Sequence, residues 1–162
     1  MAAGAALLGA LEEGSVASTI REAMWLYPLI EIAHIVGFAI LVGAVILFDL
    51  RVLGVSKRVP VRMLARHMLP WSVAALLLIV PAGVLLFATE ATALIDNRAF
   101  VVKMILLTLA LTNAAAFHLG AFRDAEHWNQ GVPAPRAARL HAASSILLWI
   151  GVITCGRLIA YV

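Results

Sequence analysis

Four long apolar stretches joined by short polar segments constrain this chain more than any other feature. They run over residues 24–50, 68–89, 100–122 and 140–162. An α-helix rises 1.5 Å per residue, so about 20 residues cross the ~30 Å hydrocarbon core of a bilayer. The runs are continuous rather than alternating, which selects helices over the strands of a membrane barrel. Composition points the same way. The chain is 64% hydrophobic and 13% charged, against about 25% charged in soluble domains. With 162 residues it cannot hide that much apolar surface within itself, so lipid is the solvent that fits.

The connecting segments, 52–67, 90–99 and 123–139, are short. Pro60 interrupts the first, and Gly131, Pro133 and Pro135 interrupt the third. Connections of this length make neighbouring helices antiparallel. The expected fold is all-α, a transmembrane four-helix bundle running up-down-up-down as one membrane domain over residues 1–162. Residues 7–22 mix Glu12, Glu13, Arg21 and Glu22 with Leu, Val and Ile, the pattern of a short interfacial helix. Thr19 with Glu22 has the spacing of a capping box for the helix that follows. The apolar start, Met1 to Ala10, has no basic n-region and does not read as a signal peptide. Pro28 and Pro81 fall inside apolar runs and are expected to kink their helices, whereas Pro70 is expected in the first turn of its own.

Net charge is +3 and the pI near 9.6. The basic residues cluster in the loops, so topology explains them better than nucleic acid does. Of the twelve Lys and Arg residues, eight (Arg51, Lys57, Arg58, Arg62, Arg66, Arg123, Arg136 and Arg139) lie at one side. The other four are Arg21, Arg98, Lys103 and Arg157. The positive-inside rule then places the first and third loops in the cytoplasm and both termini in the periplasm of a bacterial inner membrane. Cys155 is the single cysteine, so no internal disulfide and no cysteine metal motif exists, and the absence of CxxCH excludes covalent haem.

Ionisable residues inside a bilayer are costly and point to function. The candidates are Glu31, His34, Lys103, His118, His141 and Arg157, with His67 at a boundary. Counting along antiparallel helices puts His67, His118 and His141 near the cytoplasmic side, the last two differing in depth by ~5 Å. Three imidazoles arriving from three helices is a pattern that serves b-type haem or a transition metal. Haem b is therefore the expected cofactor, with His67, His118 and His141 as ligand candidates for it or for a metal. His34 lies ~15 Å from the level of His118; it is a fourth haem ligand candidate or a proton relay. Glu31 shares its helix face. Glu31, His34, Lys103 and Arg157, near Glu90, form an expected relay or ion-pair group toward the other side. His127 reads as a solvated loop residue. The glycines at 37, 43, 83, 151 and 156, together with Thr108, Thr112, Asn113, Ser144, Ser145 and Thr154, read as helix-packing residues.

The stretch WLYPLIEIAHIVGFAILVGAVILFDLRVLG, Trp25 to Gly54, resembles the opening of an uncharacterised proteobacterial family of four-helix integral membrane proteins. ARHMLPW (65–71), FHLGAFR (117–123) and CGRLIAYV (155–162) fit the same pattern, so the resemblance spans nearly the whole chain. It implies fold and setting, not activity. His34, Gly43 and Arg51 are also loosely similar to the first helix of haem-binding membrane protoporphyrinogen oxidases and of copper-resistance membrane domains. Superoxide-oxidising di-haem b cytochromes share the four-helix, multi-histidine design, by analogy alone.

Three functional expectations follow. The first is a haem-b-binding protein or cytochrome subunit in electron transfer, with quinone and other membrane subunits as partners. The second is a structural or assembly subunit of a larger membrane complex. The third is copper or metal handling, with Met24, Glu31 and His34 as an uptake site; five methionines without a Met-x-x-Met ladder argue against it. No nucleophile motif, phosphate loop or dinucleotide fingerprint is present.

Overall fold

The computed structural model describes residues 2–161. It is helical throughout: α1 (Ala2–Glu12), α2 (Ser15–Glu22), α3 (Leu26–Leu53), α4 (Val61–Thr89), α5 (Ala91–Asp96), α6 (Arg98–Leu119) and α7 (Arg136–Leu158). Of these, α3, α4, α6 and α7 are long and apolar enough to cross a membrane. In none of the four is more than 28% of the apolar stretch buried inside the protein. A helix so apolar with so little protein cover needs lipid on its remaining faces. The expected transmembrane four-helix bundle is thus the architecture observed. Val162, the end of the fourth expected span, lies outside the described residues.

Helix boundaries follow local chemistry. Pro60 and Pro135 each directly precede a long helix, α4 and α7. Their missing N–H groups are harmless there, since a helix start leaves donors unpaired anyway. Gly54 ends α3 in the left-handed region at φ 112°, and the Val55 N–H returns to the Leu50 carbonyl at 2.9 Å. That is the way a glycine closes a helix C-terminus. At the start of α6 the Asn97 side chain accepts from the Phe100 N–H at 3.1 Å.

Several local expectations are corrected. The interfacial segment is two helices, α1 and α2, separated near Gly14. Thr19 does not cap α3; it sits inside α2 and donates to the Ser15 carbonyl, and Trp25 precedes α3. Pro28 lies in the first turn of α3, where proline displaces no hydrogen bond. Pro70 is interior, because α4 begins at Val61 rather than near 68. Pro81 is interior as expected. The 90–99 connection contains α5.

The four spans form an arc in the order α4, α3, α7, α6. Helix α3 packs on α4 and on α7, and α7 packs on α6, while the backbones of α4 and α6 stay apart. Close approach of α3 to α4 depends on Gly37, where a Cβ would lie 2.8 Å from the Ile79 side chain. The ends of the arc are bridged by Phe87 and Phe100, whose rings stack at 5.7 Å near the side bearing both termini. Away from that stack, the space between α4 and α6 is a groove.

The opposite side carries the two basic loops, which are tied together. The Arg51 guanidinium is buried and donates to the carbonyls of Val59, Lys57 and Asn129. The Val61 N–H donates to the Asn129 carbonyl at 2.8 Å. Trp128 packs beneath, among Val52, Val61 and Phe117. On the terminal side, Arg21 donates to the Thr89 carbonyl and Glu12 accepts from the Thr92 N–H, so α1 and α2 are pinned to the end of α4 and to α5.

Candidate functional site

The groove between α4 and α6 opens toward lipid, with α3 and α7 as its floor. It encloses a cavity of about 240 Å³. Leu41, Leu76 and Trp149 line it nearer mid-membrane, and Phe48 and Phe117 line it toward the basic loops. Most of its polar groups gather at that loop-side end: Asp49 from α3, Asn113 and His118 from α6, His141 and Ser145 from α7; Ser72 of α4 also lines it, its hydroxyl donating to the Met68 carbonyl. No Lys or Arg side chain is among the residues that line it.

Four histidines lie on the spanning helices, and three of them, His34, His118 and His141, have Nδ1 facing an oxygen. His118 Nδ1 lies 2.9 Å from the Ala114 carbonyl, and His34 Nδ1 lies 3.1 Å from the Ile79 carbonyl. A carbonyl only accepts, so Nδ1 carries the proton in both. His141 Nδ1 lies 2.8 Å from the Asn113 side-chain oxygen. The Asn113 amide nitrogen donates to the His141 carbonyl at 3.0 Å, which fixes the direction of the amide. Neutral His141 is therefore the Nδ1–H tautomer too. In all three rings Nε2 is left with its lone pair, the form in which imidazole binds a metal.

Asp49 is only 6% exposed, and its Oδ2 is buried without any hydrogen-bond partner. Ser145, 8% exposed, is its hydrogen-bonding neighbour. The cation nearest in sequence, Arg51, is committed to three loop carbonyls. A carboxyl held in an apolar wall with one oxygen unsatisfied costs free energy that nothing in the fold recovers.

The remaining candidates are not drawn into this site. His67 is exposed on α4 and does not line the groove. His67 thus stands apart from His118 and His141, with which it was expected to form a metal set; among the described residues, no group of three or more His, Cys, Asp or Glu side chains is placed to hold a metal ion. The physical reason is the arc, which keeps α4 apart from α6 where a closed square would have joined them. His34 packs on α4, its ring 3.0 Å from where a Gly83 Cβ would stand. Lys103 is half-buried beside Gly156, close enough to His34 for their charges to interact. Arg157 instead donates to the Tyr161 hydroxyl and lies over its ring at 4.8 Å. Glu31 is exposed. No hydrogen bond or ion pair among the described residues joins Glu31, His34, Lys103 and Arg157 into the expected relay; the ion pair present is Arg62–Glu126, between the basic loops. His127 is an exposed loop residue, as its sequence context indicates.

Sequence reasoning passed over Asp49, which looks like the polar end of an apolar run. The available signal was that this acid sits in the last turns of a span, two residues before an arginine, with no basic partner at helical spacing on the side facing the membrane.

Fold and groove together define an integral four-helix membrane protein with a lipid-open, polar-ended site. The chain belongs to DUF6644, a family of unknown function, whose model matches residues 25–162. That match begins at Trp25, where the stretch resembling an uncharacterised family also begins. No curated protein and no solved structure matches the chain.

Proposed function

We infer that this protein works in electron transfer within a bacterial inner membrane, the groove being the seat of its redox group, and that haem b is the group served by His118 and His141. One observation carries the reading. Two imidazoles line a lipid-open groove with Nδ1 held by an oxygen and Nε2 left as a lone pair. This is the presentation that haem iron takes from an axial histidine. His118, at the exposed rim, is the better placed to meet a macrocycle whose outer edge lies among acyl chains, because the enclosed volume is small. Drug-sized ligand pockets span roughly 300–1,000 Å³, so most of a porphyrin would stay between α4 and α6. The basic loops face the cytoplasm and both termini the periplasm, in keeping with the eight-to-four division of Lys and Arg.

The test is the visible spectrum of detergent-purified protein, expressed with ample haem, before and after dithionite. A Soret band with sharp reduced α and β bands, lost in His118→Ala or His141→Ala and kept in His67→Ala, supports the reading. A colourless preparation removes haem from it.

A further inference from the structure

The least satisfied polar atom in the groove belongs to neither histidine. Asp49 Oδ2 is buried without a partner in the groove wall, and Ser145 is the neighbour of the same carboxyl. A membrane protein gains nothing in stability from such an atom. Replacing an unsatisfied buried polar group with an apolar one of similar shape is neutral or stabilising. Its presence is explained by a ligand that completes it.

The surroundings restrict that ligand. It has to be lipid-soluble, because the groove opens between α4 and α6 onto the bilayer and is otherwise apolar. Its head is not a phosphate, because no Lys or Arg lines the groove and a carboxyl stands there instead. The part of it held inside the groove is the size of one substituted ring, given a cavity of about 240 Å³. Aromatic side chains, Phe48, Phe117 and Trp149, line the cavity and suit a flat ring. Polar contacts are available at two places, Asp49 with Ser145 between α3 and α7, and the joined His141–Asn113 pair between α7 and α6. A para-quinone ring carries one oxygen at each end.

We propose that the loop-side end of this groove binds the ring of a membrane quinone, with one ring oxygen hydrogen-bonded to Asp49 and the isoprenoid tail leaving between α4 and α6. A carboxyl can serve either redox form: protonated, it donates to a quinone carbonyl; ionised, it accepts from a quinol hydroxyl. The inference rests on the groove being the seat of a redox ligand, and does not require haem.

The experiment is calorimetric titration of the full chain, in phosphatidylcholine nanodiscs, with a benzoquinone bearing one isoprenoid unit and with its quinol. Farnesol serves as a tail without a ring. Saturable binding of the ring compound is expected, weakened at least tenfold in Asp49→Leu and within about threefold of wild type in Asp49→Asn, which keeps a hydrogen-bonding group. Thermal unfolding separates site from scaffold: Asp49→Leu should be at least as stable as wild type, as expected of a residue kept for function. No saturable binding, unchanged binding in Asp49→Leu, or equal binding of farnesol overturns the proposal. A red protein that loses haem in His118→Ala and binds no quinone overturns it while leaving the haem reading intact. A colourless protein that binds quinone through Asp49 supports it and removes haem.

Discussion

Asn113 and His141 hold each other through two hydrogen bonds running in opposite directions. The His141 Nδ1–H donates to the Asn113 side-chain oxygen at 2.8 Å, and the Asn113 amide donates back to the His141 carbonyl at 3.0 Å. The pair joins α6 to α7 and sets the tautomer of the ring that lines the groove. Asn113→Leu removes both bonds. In a membrane each interhelical bond contributes only about 0.6 kcal/mol, because the separated helices find other partners. The expected loss is therefore about 1 kcal/mol of stability, by reversible unfolding in mixed micelles. The tautomer is the sharper readout: nitrogen NMR should show His141 as the Nδ1–H form in wild type and a mixture in the variant. A single unchanged tautomer would mean that Asn113 does not set it.

Arg51 offers a different kind of prediction, since its charge is spent on backbone. Its guanidinium reaches the carbonyls of Val59, Lys57 and Asn129 across both basic loops. Arg51→Ala leaves those acceptors to water or to nothing, and a buried unsatisfied acceptor costs about 1–3 kcal/mol. Arg51→Lys should restore less than half of the loss, because an ammonium on a flexible stem does not reproduce the planar fork. Limited proteolysis in the 123–135 segment, with thermal unfolding alongside, measures both. Full recovery by lysine would show that charge, not geometry, holds the loops.

The four spans were legible because lipid leaves so few alternatives: a run of apolar residues at bilayer length has to be a helix. The terminal proline errors arose from register alone. Moving the start of α4 back to Val61 turns Pro70 from a first-turn residue into an interior one, and starting α3 at Leu26 does the reverse for Pro28. The groove was not legible. Depth along a helix can be counted, which is how His118 and His141 were grouped correctly at one end, but rotation and helix order cannot. Helix order depends on which pairs pack closely, as α3 and α4 do at Gly37 and Ile79, while α4 and α6 stay apart. That order excludes His67 from the groove and admits Asp49. Asn113 and Ser145 read from sequence as interhelical polar residues, and both are: Ser145 of α7 bonds the Asp49 carboxyl of α3, and Asn113 in addition orients a histidine.

The proposed orientation is open to a direct chemical test. Asp96 is at the end of α5 on the terminal side, and Asp124 is in the long loop between α6 and α7; both are exposed. In a Cys155→Ala background, Asp96→Cys in spheroplasts should react with a membrane-impermeant maleimide. Asp124→Cys should react only after the membrane is permeabilised. The inverse pattern would reverse the assignment drawn from the eight-to-four division of Lys and Arg.

Gly83 of α4 leaves room for the His34 ring of α3. A Cβ at position 83 would lie 3.0 Å from His34 Cε1 and 3.4 Å from Nδ1. The ring cannot turn away freely, because its Nδ1–H is bonded to the Ile79 carbonyl at 3.1 Å. Gly83→Ala should therefore destabilise the protein by about 1–3 kcal/mol, the usual cost of overfilling a packed site. Helix propensity pushes the other way by only about 1 kcal/mol, so the steric term sets the sign. If the imidazole is the obstacle, truncating it in His34→Ala makes room, and Gly83→Ala added to that background should cost nothing or stabilise. A double-mutant cycle measured by unfolding in mixed micelles isolates the coupling. Equal costs in the two backgrounds would show that α3 and α4 are held apart by other side chains and that His34 is free to move.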